Sequence, residues 1–176
     1  MHRSSEQPSS TFDWIASMAA AGVFATAQLG DSWDWPGSRW LGVACLALAL
    51  PLFSLPFLHL SRYGASEPGK GFIHTTRVAD RGLYAVVRHP QYLGYCLLVA
   101  GVASLSANPV SVTLSVLATI GFVAQAVAEE RFLVRRMGDP YVDYMARVPR
   151  FDLVRGLWRW WRSRRGARAN GSAGSR

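Results

Sequence analysis

Residues 88–130 read RHPQYLGYCLLVAGVASLSANPVSVTLSVLATIGFVAQAVAEE, and this stretch decides the fold. The 36 residues between Tyr92 and Glu129 carry no charge, and Ser106-Ala107-Asn108-Pro109 interrupts them near the middle. Two helices of about 16–19 residues fit around this break, and at about 1.5 Å per residue each nearly crosses the hydrocarbon core of a bilayer. A hairpin of two such helices returns Glu129 to the membrane face at which His89 lies. The sequence therefore predicts that polar residues far apart in the chain converge at one water–lipid boundary.

Apolar residues make up half of this 176-residue chain and charged residues only 17%, which is too apolar for an ordinary soluble domain. The apolar residues fall in four blocks: Trp14–Leu29, Trp40–Leu60, Tyr92–Ala107 and Val110–Ala128. The second and fourth blocks are long enough to span a bilayer. The first and third are near the short limit, so either could instead be a buried or partly inserted helix. The predicted fold is all-α, an integral membrane bundle of about four transmembrane helices with a cytoplasmic C-terminal helical extension; three or five spans are the alternatives.

Basic residues are distributed unevenly among the connections. The loop from Asp31 to Arg39 carries two aspartates and one arginine, whereas the connection from Ser61 to Gln91 carries five basic residues. The chain beyond Glu129 carries twelve arginines. Because basic loops stay on the cytoplasmic side, this distribution predicts a multi-pass protein whose middle connection, C-terminal tail and both termini are cytoplasmic.

One domain with two tails is the predicted organisation. Its parts are a disordered N-terminus at residues 1–10, the first two transmembrane helices at 11–62, a catalytic core with the hairpin at 63–152, and a basic aromatic interfacial tail at 153–176. The net charge of +8 lies beside the apolar blocks and in the tail, where tryptophan and arginine are mixed. Membrane lipids, and not nucleic acid, are therefore the predicted partners. The two cysteines lie in apolar blocks and form no metal or disulfide framework.

Three kinds of polar residue flank the predicted boundary. His89 precedes a proline, which biases its backbone to extended or turn geometry, and it is either an interfacial polar residue or a ligand. Glu129 and Glu130 are adjacent in a helix and cannot share a face, so one should point into the bundle. An acidic group at membrane depth indicates a functional site. The nearby tyrosines form either an aromatic belt or ring faces for a base or a cation.

These segments closely resemble a known family. The resemblance rests on GLYAVVRHPQYLG at 82–94, Glu129-Glu130, MGDPYVDY at 137–144 and Arg147-Val148-Pro149. Their order and spacing are similar to those of the isoprenylcysteine carboxyl methyltransferases, and phospholipid N-methyltransferases are more distantly similar. The resemblance covers roughly Arg77 to Phe151 and not the first two predicted helices. It implies an integral membrane enzyme that moves a methyl group from S-adenosylmethionine to a lipophilic acceptor.

The resemblance also implies which residues bind the cofactor. They are Arg77, Val78, Ala79, Tyr84, His89, Pro90, Gln91, Tyr92 and Glu129. The chemistry fits, because the cofactor carries a carboxylate, an ammonium, a sulfonium, ribose hydroxyls and an adenine ring. His89 and backbone N–H groups can hold the carboxylate, and Glu129 can pair with the ammonium or accept from the ribose hydroxyls. Tyrosine rings can cover the adenine or the sulfonium.

One position departs from the family pattern. Carboxyl-methylating members carry an arginine four residues before the first glutamate, and this chain has Gln125 there. Glutamine offers neither a permanent charge nor a bidentate fork, which disfavours a prenylcysteine carboxylate as acceptor unless Arg147 substitutes for the missing arginine. We expect the catalytic group to comprise Gln125, Arg147 and Glu130, and we expect no metal.

The acceptor atom stays open among a carboxylate oxygen, an amine and a thiol. Two other classes of protein also fit the sequence. One is a sterol-type membrane reductase, which has a similar C-terminal helical arrangement and binds a nicotinamide cofactor. The other is a non-catalytic membrane scaffold that retains the pocket.

Overall fold

Six α-helices and one turn of 3-10 helix form the regular structure of this computed structural model, which describes residues 11–28, 37–63, 78 and 80–173. The helices are α1 Thr11–Thr26, α2 Ser38–Tyr63, α3 Pro90–Ser106, α4 Pro109–Met137, α5 Asp139–Arg147 and α6 Leu153–Ala173, and the 3-10 turn is Gly82–Ala85. Within these described ranges there is no strand, which confirms the all-α prediction. The predicted N-terminal tail at residues 1–10 lies outside them.

The predicted helical hairpin is formed by α3 and α4. The chain leaves α3 at Ala107, and the Asn108 side chain caps α4 by accepting a hydrogen bond of 2.8 Å from the Val110 N–H group. At its other end α4 extends beyond its apolar block to Met137 and has 29 residues. Gly138 follows with φ +65°, a left-handed backbone that glycine adopts without strain, and the chain turns there into α5.

Two helices of the described residues are long and apolar enough to cross a membrane. They are Ser38–Pro56 within α2 and Pro109–Met137. Helices α1 and α3 have 16 and 17 residues and are shorter than these two. The structure thus supports membrane association through two helices, and the count of four spans stays a prediction.

The surface of α4 reverses the pattern of a soluble helix. Before Glu129, its exposed large side chains are apolar: Val110, Val112, Val116, Leu117, Ile120 and Val123. Most of its buried residues are small: Ser111, Ser115, Ala118, Gly121 and Ala126, with Phe122 and Glu130 as the larger members. Small residues let helices approach closely where lipid, not water, surrounds them. This arrangement is typical of a helix that exposes its apolar face to acyl chains.

Two compact units divide the described residues. The first takes the described parts of Met1–Ser54 and Gln91–Arg136. Its buried core lies among α1, α3 and α4 and comprises Ala16, Ala19, Val23, Val99, Ala103, Ala118 and Phe122. Gly121 lets α4 contact α1, because a Cβ atom there would lie only 2.7 Å from the Ala16 Cβ.

The second unit takes the described parts of Leu55–Pro90 and Met137–Arg176. In this unit the segment around the 3-10 turn packs against the C-terminal part of the chain. Two backbone hydrogen bonds hold it: Arg88 N–H donates to Pro149 O at 2.9 Å, and His89 N–H donates to Arg150 O at 3.3 Å. These two bonds fix the backbone at Arg88 and at His89.

Candidate functional site

The first unit brings Tyr92 and Glu129 together. Tyr92 lies in the first turn of α3, Glu129 lies in α4, and the tyrosine hydroxyl donates a hydrogen bond to the glutamate side chain. Asp13, in the first turn of α1, is close enough to act electrostatically on the same hydroxyl. Polar groups from three helices therefore meet in this unit, and the convergence predicted for His89 and Glu129 stays a prediction.

An aromatic cluster supports this contact from one side. The Gln91 side-chain amide donates to the Tyr95 hydroxyl at 2.9 Å, and the Tyr95 ring meets the Tyr92 ring edge-on with centroids 6.3 Å apart. Phe122 and Phe53 pack on the Tyr95 ring at 5.3 Å and 5.4 Å. Tyr95 is thus a packing residue that orients its neighbours, and Gln91 is tied to it.

Of the two adjacent glutamates, Glu130 is the one that points into the bundle. Only 3% of Glu130 is exposed, whereas Glu129 is half-buried. The reason is helical spacing, because Phe122, Ala126 and Glu130 follow one another at four-residue steps on the buried face of α4. Gln125 precedes Glu129 by four residues and is also half-buried. The sequence argument that one glutamate points inward was right, and the small-residue row of α4 was the signal that identifies which one.

In the second unit, His89 is a buried residue. Its exposed fraction is 5%, its backbone is bonded to Arg150, and its ring lies 6.0 Å from the ring of Phe151. Pro90 is fully buried and begins α3. Burial and backbone bonding favour a ligand or structural role for His89 over that of a residue exposed at the interface.

Two tyrosines hold the 3-10 turn from the side of α5. The Tyr144 hydroxyl donates to the Tyr84 carbonyl oxygen at 2.8 Å, and the Tyr141 ring packs on the Tyr144 ring at 5.7 Å. Burial is the largest cause that raises the pKa of Tyr144 above its ordinary value, so its hydroxyl keeps its proton and stays a donor. Tyr144 therefore acts on the backbone of Tyr84, whose own side chain is half-buried.

Helix α6 holds the same segment from another side, which the sequence analysis missed. A side-chain N–H group of Arg159 donates to the Ala85 carbonyl oxygen. One turn earlier, Gly156 is buried against Val86, and a Cβ atom there would overlap the Val86 carbonyl oxygen. A glycine in the first turn of a segment rich in tryptophan and arginine was the available signal for this close contact.

Arg147 belongs to an arginine-lined cavity of the second unit. Its Nε donates to the Asp143 carbonyl oxygen at 3.1 Å, and its side chain is exposed. The cavity has a volume of about 460 Å³ and is lined by Arg88, Arg147, Arg150, Arg155 and Arg159, together with Met145, Ala146, Val148 and Pro149. We call it the arginine cavity.

The remaining predicted residues are described only in part. Arg77 and Ala79 lie outside the described residues, and Val78 is half-buried. In the part of the chain that the structure does describe, no three His, Cys, Asp or Glu side chains are grouped as metal ligands.

Residues 38–139, more than half of the chain, match the phospholipid methyltransferase family. The chain belongs to this family. Among its relatives, protein-S-isoprenylcysteine O-methyltransferase of Schizosaccharomyces pombe is 36% identical over 109 residues, which cover 54% of this chain and 46% of that protein. Protein-S-isoprenylcysteine O-methyltransferase B of Arabidopsis thaliana is 29% identical over 90 residues, 46% of each chain. The resemblance read from the sequence is confirmed.

The chain spans about half the length of these two relatives. A shorter match, 33% identity over 69 residues, relates it to protein-S-isoprenylcysteine O-methyltransferase of Xenopus laevis and covers 39% of this chain and 24% of that one. No solved structure matches this chain significantly.

Most of the residues that the sequence predicts for the site fall inside the phospholipid methyltransferase match. The matched residues 38–139 include His89, Tyr92, Gln125 and the two glutamates, and they end before Arg147. Of the arginines that line the cavity, only Arg88 lies in the matched segment. The cavity is therefore built mainly by the part of the chain that follows the family match.

Proposed function

We propose that this chain is a membrane-embedded enzyme that transfers a methyl group from S-adenosylmethionine to a lipophilic acceptor. The observation that carries the proposal is the contact between Tyr92 and Glu129 in a phospholipid methyltransferase family member. The relatives named protein-S-isoprenylcysteine O-methyltransferase support the reaction class.

The polar groups of the first unit fit the cofactor's ammonium and ribose. Glu129 is half-buried and already accepts a hydrogen bond from Tyr92, so its carboxylate is oriented and has further lone pairs for an ammonium or a ribose hydroxyl. The Tyr92 ring faces a packed aromatic neighbour, which limits its rotation. Gln91 contributes an amide at the start of the same helix.

The polar groups of the second unit fit the cofactor's carboxylate. His89 is buried at a turn whose backbone is fixed by hydrogen bonds, and a fixed imidazole N–H donor is suited to an anionic oxygen. Tyr84 and Pro90 shape the same segment, and the family resemblance adds Arg77, Val78 and Ala79 before it. These residues bind and orient the cofactor.

Bound S-adenosylmethionine would supply a sulfonium methyl group for in-line transfer, in which the bond from the acceptor to the methyl carbon forms as the S–CH3 bond breaks and a neutral thioether leaves. Positioning then provides most of the rate enhancement, and exclusion of water favours loss of the sulfonium charge. The residues of this chain contribute by holding the donor rigidly and by presenting an apolar surface through which a lipophilic acceptor enters between helices.

Gln125 is our candidate contact for the acceptor. It lies one helical turn before Glu129, and both are half-buried. Its amide can hydrogen-bond to the acceptor but cannot neutralise an anionic carboxylate in a low-dielectric site. The buried Glu130 is our candidate for accepting a proton when the acceptor is an amine or a thiol. Arg147 remains the candidate that would hold a carboxylate.

Four spans with cytoplasmic termini are the topology that we propose for this enzyme. Reporter fusions after Arg81 and after Ser163 should both report the cytoplasm, and the loop between α1 and α2 should report the opposite side. An external signal from the connection that precedes α3 would contradict this topology.

Binding of tritiated S-adenosylmethionine to the detergent-purified chain tests the reaction class directly. We expect saturable binding that is weakened in His89→Ala and unaffected by an excess of nicotinamide dinucleotide. A reductase would show the opposite preference, and a scaffold would bind neither cofactor. Transfer of labelled methyl groups into a lipid extract of the native host would then identify the acceptor.

A further inference from the structure

The arginine cavity has a lining that is strongly and uniformly basic. Five of its nine lining residues are arginines, the others are Met145, Ala146, Val148 and Pro149, and no aspartate or glutamate is among these described lining residues. Five guanidinium groups around about 460 Å³ make the local potential positive. The cavity is therefore suited to an anion with several charged oxygens.

The individual arginines also offer donors to such an anion. Within the described part of the chain, the Nε atom of Arg159 is buried without a hydrogen-bond partner, although another N–H group of that side chain is bonded to Ala85. A buried donor without a partner is costly, and an anion in the cavity would satisfy it. Arg155 lies one turn before Arg159 on α6 and its side chain is exposed, so it can close on a ligand from the rim.

Helix α6 indicates where such an anion would come from. Val154, Leu157, Trp158 and Trp161 follow the spacing i, i+3, i+4, i+7 and form one stripe, which we call the apolar stripe. The stripe is open, since 81% of Val154 and 57% of Trp158 are exposed. On the helix, Arg155 and Arg159 lie between the stripe and the face on which Gly156 packs against Val86.

Stacked arginines continue this pattern along α6. The guanidinium of Arg162 lies 5.3 Å from the Trp158 ring centre, and that of Arg165 lies 3.6 Å from the Trp161 ring centre. An apolar aromatic stripe bordered by arginines is the surface that lies at the boundary between acyl chains and anionic head groups. The cavity thus opens beside a helix face suited to lipid.

We propose that the arginine cavity binds the phosphate of an anionic phospholipid whose acyl chains lie along the apolar stripe of α6. The phosphate accepts bidentate hydrogen bonds from the guanidinium forks, which match its oxygens better than an ammonium would. This lipid site shares Arg147 with the residues proposed for the acceptor, but its existence does not depend on methyl transfer.

Calorimetry on the full chain in uncharged detergent tests the proposal. The probe is dihexanoyl phosphatidic acid below its micellar concentration, and dihexanoyl phosphatidylcholine and inorganic phosphate are compared with it. We expect saturable binding of one phosphatidic acid per chain, and binding at least tenfold weaker for phosphatidylcholine and for inorganic phosphate.

Two matched variants locate the site. Arg155→Gln removes one exposed guanidinium from the cavity and should weaken phosphatidic acid binding about tenfold or more, the effect of losing a charge-assisted hydrogen bond. Arg164→Gln removes the same charge from the same helix, where the guanidinium stacks over Trp160 and does not line the cavity. It should change the affinity by less than about twofold.

Several results would overturn the proposal. Equal loss of affinity in Arg155→Gln and Arg164→Gln would mean diffuse attraction to a basic helix, and absence of saturable binding would mean that there is no site. If inorganic phosphate binds as tightly as phosphatidic acid, the cavity recognises phosphate alone and is not a lipid site. Arg155→Lys adds a further check, because it keeps the charge but should lose most of the affinity that the bidentate fork provides.

Discussion

Gly156→Ala should destabilise the protein, although helix propensity alone predicts that it stabilises. In the interior of an exposed helix, glycine to alanine stabilises by about 1 kcal/mol. At residue 156, however, the new Cβ atom would overlap the Val86 carbonyl oxygen and lie 2.9 Å from the Val86 carbonyl carbon. The atoms that must move belong to the backbone of both segments, so no side-chain rotation can relieve the overlap.

The size of the effect follows from the distances. Carbon atoms are at their best separation at about 3.5–4.0 Å, so α6 and the Val86 segment must separate by about 0.6–1.1 Å. Forced separations of this kind cost about 1–3 kcal/mol, and the rigid backbone on both sides places this one near the upper end. After subtracting the propensity gain, we expect a net loss of about 1–2 kcal/mol in the free energy of unfolding.

The assay is thermal unfolding of the purified protein, followed by S-adenosylmethionine binding. Gly156→Ala should unfold at a lower temperature, and it should bind the cofactor more weakly because the displaced segment leads to His89. Ser163→Ala is the matched control, since it also raises helix propensity at an exposed position of α6 without adding an atom. A Gly156→Ala protein that is as stable as the original would show that the close approach of α6 to Val86 does not exist in solution.

Three further predictions concern the two units. Glu129→Gln should weaken S-adenosylmethionine binding by about 1.5–3 kcal/mol, measured by calorimetry, because a charged partner of the cofactor is lost; unchanged affinity would remove Glu129 from the site. Gln125→Arg should leave cofactor affinity within about twofold but lower methyl transfer to the native acceptor, and efficient transfer by the original protein to farnesylated cysteine analogues would contradict this assignment. Tyr144→Phe should reduce stability by about 0.5–1.5 kcal/mol through loss of the hydrogen bond to Tyr84. Because folding raises the pKa of Tyr144, the stability that its hydroxyl provides is present below the unfolded pKa of about 10 and declines above it. Denaturant titrations should therefore show that the free energy of unfolding falls less steeply above about pH 10 in Tyr144→Phe than in the original protein.

The hairpin was predictable because its signal is local. An uncharged run with one polar break defines two helices, and charge at both ends defines where they stop. The structure agrees within about two residues at the start of α3 and at the break. The end of α4 at Met137 was also readable from Gly138 and Pro140, since a glycine C-cap and a following proline terminate helices.

The orientation of the glutamates was less accessible. Sequence spacing places Glu129 and Glu130 about 100° apart on α4, but it does not say which of the two continues the buried row. That choice depends on Ala126 and Phe122, whose burial follows from contacts of α4 with other helices. The same holds for α6, because the sequence shows an aromatic basic segment but not that Gly156 and Arg159 are directed at the carbonyl groups of residues 85 and 86.

The two backbone hydrogen bonds that join residues 88 and 89 to residues 149 and 150 have a consequence for biosynthesis. Their partners are separated by roughly 60 residues, and a ribosome takes about 3–12 s to add them. Throughout that interval the His-Pro turn lacks residues 149 and 150, whose carbonyl groups fix it. The α3–α4 hairpin, which lies between the two segments in the chain, already has its local partners. The nascent chain therefore forms the α3–α4 hairpin before this turn becomes ordered. A chain that terminates before residue 149 would keep this helical hairpin but would lack the two acceptors that make the turn rigid.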